Sequence, residues 1–181
     1  MKAKSKRKDH ALPEGGIVCG TDFSPPASVA TDVAAAIARR LGVPLTLAHA
    51  VEMPGSIAAD EKAVAWLTNN REKVLRQEAA RARKKGCEIV PHMEPGRGDE
   101  VLVKLASVSK SRLIVIGSLG RRAPEKWLLG SVAERTAERA ETPTLVLRAP
   151  EGLREWLNGT RTLKVFVCFN FTRTSESRSA G

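Results

Sequence analysis

Five short runs of continuous apolar residues recur along the chain, each separated from the next by a stretch with helical spacing. The runs lie in "GGIVCG" (15–20), "VPLTLAHAV" (43–51), "CEIVPHM" (87–93), "SRLIVIG" (111–117) and "TPTLVLR" (142–148). A strand that is apolar along its length, not only on alternate residues, belongs to a sheet covered on both faces. Such strands alternating with helices point to a parallel sheet in an α/β fold. Right-handed crossovers then predict a doubly wound sheet of five strands in the order 3-2-1-4-5. That order sets the first and fourth strands side by side, with a crevice beyond their carboxyl ends.

The helical stretches carry their own punctuation. Ser24 precedes Pro25-Pro26 and is placed to cap a helix with Val29, Val33, Ala36, Ile37 and Leu41 inward and Gly42 as its stop. Residues 57–85 read as a long helix marked by Val64, Leu67, Val74 and Leu75, with the cations of "RARKKG" at its C-terminal end. "GRGDEVLVKLASVSK" puts its acids in the first turn and Val101, Leu102, Leu105 and Ala106 inward, and "SVAERTAERAE" is a fourth helix.

Residues 1–14 read as a disordered basic tail, 15–149 as one domain and 150–164 as a turn-rich linker. Residues 165–181 open as the domain itself opens. "VFVCFNFTRTSE" aligns with "IVCGTDFSPPAS", Asn170-Phe171-Thr172 falling on Asp22-Phe23-Ser24 at a domain-length offset. This reads as the incomplete start of a second unit, with a coincidence between two apolar strands as the alternative.

Composition narrows the functions. Aromatics make up 4% and there is no Tyr, so base stacking on an aromatic platform has little material. The longest apolar run, "VAAAIA", is far too short to span a bilayer. The opening "MKAKSKRKDH" has charge without an apolar stretch, so a cytoplasmic protein with no signal peptide is expected. Cys19, Cys87 and Cys168 are odd in number and form no CxxC pair, which points to reduced, buried thiols. His10, His49 and His92 have no metal-ligand spacing, and no metal site is expected from them. The net charge of +10 is spread along the chain. A solvated basic surface, or attraction for a small anion, explains it as well as nucleic acid does, and nucleic acid is the less expected partner.

The first central strand ends in "GTDFS" and the fourth in "GSLGRRAPEKWLLGS". Asp22 is a carboxylate at the rim of the crevice, able to accept hydrogen bonds from a ribose or an adenine edge. Gly117 and Gly120 let backbone approach a ligand and permit positive φ. Gly130-Ser131 opens a helix whose amides, dipole and hydroxyl suit an anion, with Arg121 and Arg122 supplying charge nearby. Each part alone has an ordinary structural role: an Asp after a strand caps a helix, glycines make turns, and paired arginines are solvated. Together, on two neighbouring strands, they describe a site for a phosphorylated nucleoside.

The spacing Gly117-x2-Gly120-x9-Gly130-Ser131 resembles the nucleotide-binding signature of the universal stress protein family. "TDFS" and "GSVAER…TPTLVLR" are similar to that family too, and the resemblance covers residues 16–148. It implies a Rossmann-like fold of the adenine nucleotide alpha hydrolase kind and homodimers formed through the last strand. It also implies ATP, or AMP or ADP, as ligand, with Mg2+ accompanying the nucleotide. By position it implies that Thr21 and Asp22 face adenine and ribose and that Ala50 lines the adenine pocket through its backbone. Gly117, Gly120, Gly130, Ser131 and Val132 would hold ribose and phosphates, with Arg121 beside them. Leu119, Ala123-Pro124 and Ala50 depart from the family's usual residues; the Ala-Pro pair stiffens the loop, and Ala50 loosens the adenine pocket.

Catalysis has less support in the sequence. There is no GxxxxGK[ST] and no SGGxDS, and "SVSK" at 107–110 has no partner motif. The expected function is that of a nucleotide-binding stress-response or regulatory module whose ligand biases dimerisation or partner choice. A slow ATP hydrolase and a basic interaction or nucleic-acid-binding protein are the alternatives.

Overall fold

The computed structural model describes residues 12–53, 60–118, 130–148 and 151–162. Most of the basic tail, most of the loop between Ser118 and Gly130, and the 165–181 copy lie outside the described residues. Strands β1 (Ile17–Gly20), β2 (Leu45–Val51), β3 (Ile89–Pro95), β4 (Leu113–Gly117) and β5 (Thr144–Leu147) form one parallel sheet. Its order is β3-β2-β1-β4-β5, as the run pattern predicts. Ile17 pairs with Leu45 on one side and Leu113 on the other, which makes β1 the central strand.

Period-two alternation sends the strand side chains into two cores. Ile17, Cys19, Leu45, Leu47, Ile89 and Val115 face α1 (Pro25–Leu41) and α2 (Glu61–Arg83). Val18, Ala48, Ile114 and Ile116 face α3 (Gly98–Val108) and α4 (Ser131–Arg139). Each fully buried Ile or Leu contributes roughly 1.5–3 kcal/mol. Val101, Leu102, Leu105 and Ala106 of α3 point inward as expected.

Helix α1 differs from its sequence reading. Its buried stripe is mainly alanine (Ala27, Ala30, Ala34, Ala35 and Ala38, with Thr31, Val33 and Ile37), whereas Leu41 is 54% exposed. Small residues let this helix sit close over the sheet with covered flanks, so its buried face is wider than the large apolar residues alone indicate. Buried Thr31 donates to Ala27 O at 2.9 Å. Ser24 does cap the helix, accepting from the Ala27 amide at 3.3 Å.

Helix α2 is docked by its C-terminal half, through Leu75, Ala79 and Ala82, and capped by Asp60. Arg81 ties it to α1 by reaching Asp32 at 2.7 Å, and also pairs with Glu78 of its own helix at 2.8 Å.

The segment read as a turn-rich linker contains a helix, α5 (Glu151–Leu157). Leu153, Trp156 and Leu157 pack on the α1 side of the sheet, and the Arg40 guanidinium lies 4.7 Å from the Trp156 ring centre. Of the two described cysteines, Cys19 is buried and its thiol is pushed up to about 12 by desolvation. Cys87 is only half-buried, because it falls in the turn after Gly86 and before β3. No described helix is long and apolar enough to cross a membrane.

Candidate functional site

The turn after β1 is built by its own side chains. Thr21 Oγ1 accepts from the Phe23 amide at 3.1 Å, and Asp22 Oδ1 accepts from the Ser24 amide at 3.0 Å. These bonds fold "TDFS" so that Phe23 takes φ 65° and Ser24 is delivered to the start of α1. Asp22 is half-buried at this rim. The Thr21 amide donates to Ala48 O at 2.9 Å, which carries the β1–β2 ladder past the end of β1. Thr21 O is met by His49 Nδ1 at 2.7 Å. A carbonyl can only accept, so Nδ1 carries the proton there. The His49 ring also lies 4.3 Å, centre to centre, from the Phe23 ring. His49 was not singled out from the sequence. Ala50, the next residue of β2, is half-buried on the opposite face and pairs in register with Glu94.

Cys19 pairs with Val115, so the ends of β1 and β4 emerge side by side. A side chain at Gly117 would come within 3.4 Å of the Pro26 carbonyl. That is an ordinary van der Waals contact, so the approach of β4 to the first turn of α1 does not by itself require glycine here. Gly117 does not take the positive φ expected of it. Ser118, buried and not picked out beforehand, donates its amide to Leu147 O at 2.7 Å and accepts from the Gly130 amide at 2.7 Å. That second bond ties together the two ends of the loop holding Gly120 and Arg121, both of which lie outside the described residues.

Gly130 stands at the N-cap of α4 with φ −79° and ψ 150° and makes no side-chain cap hydrogen bond. Ser131 is exposed and Val132 half-buried. Helix geometry leaves first-turn amides without intrahelical acceptors, and the dipole favours negative charge there. Thus Thr21, Asp22, Gly117, Gly130, Ser131 and Val132 gather where β1 and β4 end, with Ala50 on the next strand. The arrangement offers a carboxylate rim on one strand and a helix N-terminus beyond its neighbour.

Comparisons with known proteins bear on the fold that carries these residues. The sequence profile of the Universal stress protein family matches residues 16–148. A universal stress protein of Mycolicibacterium smegmatis is 30% identical over 140 residues, 77% of this chain and 47% of the relative. One from Methanocaldococcus jannaschii is 36% identical over 86 residues, 43% of this chain and 51% of the relative. The chain spans about half the length of these curated relatives. Among solved structures, a universal stress protein crystallised in complex with cAMP has a TM-score of 0.60 at 29% identity, covering 74% of this chain and 97% of that one. The Rossmann-like fold is the one the resemblance implies, and the profile runs from the start of β1 to the end of β5. The chain belongs to the universal stress protein family.

Proposed function

We propose that this protein binds an adenine nucleotide, ATP foremost, across the ends of β1 and β4, and that it acts as a stress-response regulator through binding and not turnover. The observation that carries the reading is the adjacency of β1 and β4, with a carboxylate-bearing turn on one and a helix N-terminus without a side-chain cap beyond the other. In this reading Thr21 and Asp22 meet ribose and adenine, and Ala50 lines the base through its backbone. Gly117, Gly120, Gly130, Ser131 and Val132 surround ribose and phosphates, with Arg121 adding charge. The cAMP complex of the related protein supports an adenine ligand. Mg2+ would accompany the phosphates; among the described residues no group of three His, Cys, Asp or Glu forms a cage for it.

The reading extends to a homodimer paired through β5, supported by that strand's place at the sheet edge. It also extends to the cytoplasm, supported by the free thiols of Cys19 and Cys87.

Calorimetric titration with ATP, ADP, AMP, cAMP and adenosine tests the site. Asp22→Ala should weaken adenosine and ATP alike by roughly 1.5–3 kcal/mol, the scale of hydrogen bonds to a charged group. Wild-type protein that binds none of these compounds would remove the reading. A loss confined to ATP would move Asp22 from the ribose to a metal on the phosphates.

A further inference from the structure

Helix α4, whose first turn forms one wall of the candidate site, has little apolar surface with which to hold its place. Of its nine residues only Ala133 and Thr136 are buried, and the Thr136 hydroxyl turns back to donate to Val132 O at 2.7 Å. Two arginines one turn apart, Arg135 and Arg139, reach toward α3 instead, and both end on the same carboxylate. Asp99, in the first turn of α3, is 1% exposed. Its Oδ2 accepts from Arg139 at 3.1 Å, its Oδ1 lies 3.4 Å from Arg135 Nε, and Arg97 reaches both oxygens at 3.3 Å. Arg135 Nε is itself buried and has no hydrogen bond of good geometry among the described residues, so the Asp99 carboxylate is its electrostatic partner.

The two helices also touch at their starts. A side-chain carbon on Gly98 would lie 3.0 Å from Val132 Cγ1, so glycine at this position lets the first turn of α4 rest against α3. A buried carboxylate among guanidinium groups need not add net stability, because desolvation offsets much of the attraction. It does fix direction, since the carboxylate can satisfy these arginines in few arrangements.

We propose that Asp99 is a positioning residue for the phosphate end of the site. It clamps α4 to α3 through Arg135 and Arg139 and thereby aims the first-turn amides of α4. The proposal rests on the nucleotide reading above, and it predicts the opposite sign from simple electrostatics. Asp99→Asn removes a negative charge beside three arginines. If charge alone mattered, ATP would bind more tightly to the variant. If Asp99 holds α4, ATP binds more weakly, while adenosine, which has no phosphate to meet α4, is unaffected.

The test uses the full chain as wild type, Asp99→Asn, Arg139→Met and Arg139→Lys. Without ligand, hydrogen exchange should quicken along α4 relative to α1 in Asp99→Asn and Arg139→Met. By calorimetry these two should lose roughly tenfold in ATP affinity, the scale of a displaced helix-terminus contact, with adenosine affinity unchanged. Arg139→Lys, which keeps a charged donor, should recover most of the loss. Tighter or unchanged ATP binding, adenosine falling in step with ATP, or unchanged exchange along α4 would each overturn the clamp. If Asp99→Asn does not fold, exchange along α4 in Arg139→Met decides, because losing the Arg139 charge would weaken ATP binding by itself but would not loosen the helix, and Asp99 stays paired with Arg97 and Arg135. Wild-type protein that binds no nucleotide would overturn the site reading and this role for Asp99 with it, and exchange along α4 would then report only whether the helix is tethered.

Discussion

Phe23 holds φ at 65°, in a region that side chains other than glycine's rarely adopt. Its neighbours hold it there. Thr21 and Asp22 bond the amides of the turn, and the ring rests on His49. A left-handed residue costs about 1 kcal/mol. Phe23→Ala and Phe23→Gly both lose the ring, but only glycine relieves the backbone. In urea denaturation Phe23→Gly should therefore be the more stable by about 1 kcal/mol; equal stabilities would show that the turn carries no strain. The polar parts of this turn were legible in the sequence because they follow an apolar run directly. His49 was not, since a lone histidine within a strand gives no sign of which carbonyl it meets across the sheet. Asp99 was hidden for a related reason: an acid in a first turn reads as a partner of the helix dipole, and only the packing of α4 buries it.

Between elements, the α1–α2 contact depends on a small ionic group. Ser28 Oγ donates to Glu78 at 2.9 Å, and Arg81 bonds Glu78 and Asp32. The Arg81 guanidinium, helped by Ser28, holds the Glu78 carboxyl below the usual carboxylate range against the opposing effect of burial. A carboxyl lowered on folding adds stability above its unfolded value and loses it as pH falls through the folded one. Glu78→Gln should therefore be less stable than wild type near neutrality, with the gap narrowing below pH of about 4.3. A gap independent of pH would assign Glu78 a packing role only. Helix α5 makes a second contact with α1. Its single turn of apolar spacing, Leu153, Trp156 and Leu157, is too short to stand out between Pro150 and Gly159, which is why the sequence reads as a linker there. Trp156→Ala should cost about 2 kcal/mol by thermal or urea unfolding; no change would mean that α5 rests on α1 without stabilising it.

For the molecule as a whole, strand order was legible because five apolar runs alternating with helices leave few topologies, whereas the loop chemistry of the site depends on contacts that no periodicity encodes. Among the described residues the sheet ends at β5. The carbonyls of Pro143 and Leu147 face β4, accepting from Ile114 and Ser118, so alternation turns the N–H of Val146 outward. If the proposed dimer pairs through β5, the wild type sediments as a dimer and Val146→Pro, which removes that donor, as a monomer while nucleotide affinity persists; a monomeric wild type, or an unchanged sedimentation coefficient in the variant, would contradict pairing through β5. Nucleotide binding is the central claim, and Gly130 offers its most direct test. Its φ of −79° and ψ of 150° are extended values that valine adopts without strain, so Gly130→Val should fold normally yet put a branched side chain where phosphates would lie. Calorimetric titration of ATP should give saturable binding to the wild type and none to Gly130→Val, with both proteins showing the same circular dichroism. Equal affinity in the two proteins would contradict the account, because the start of α4 would then play no part in holding the nucleotide.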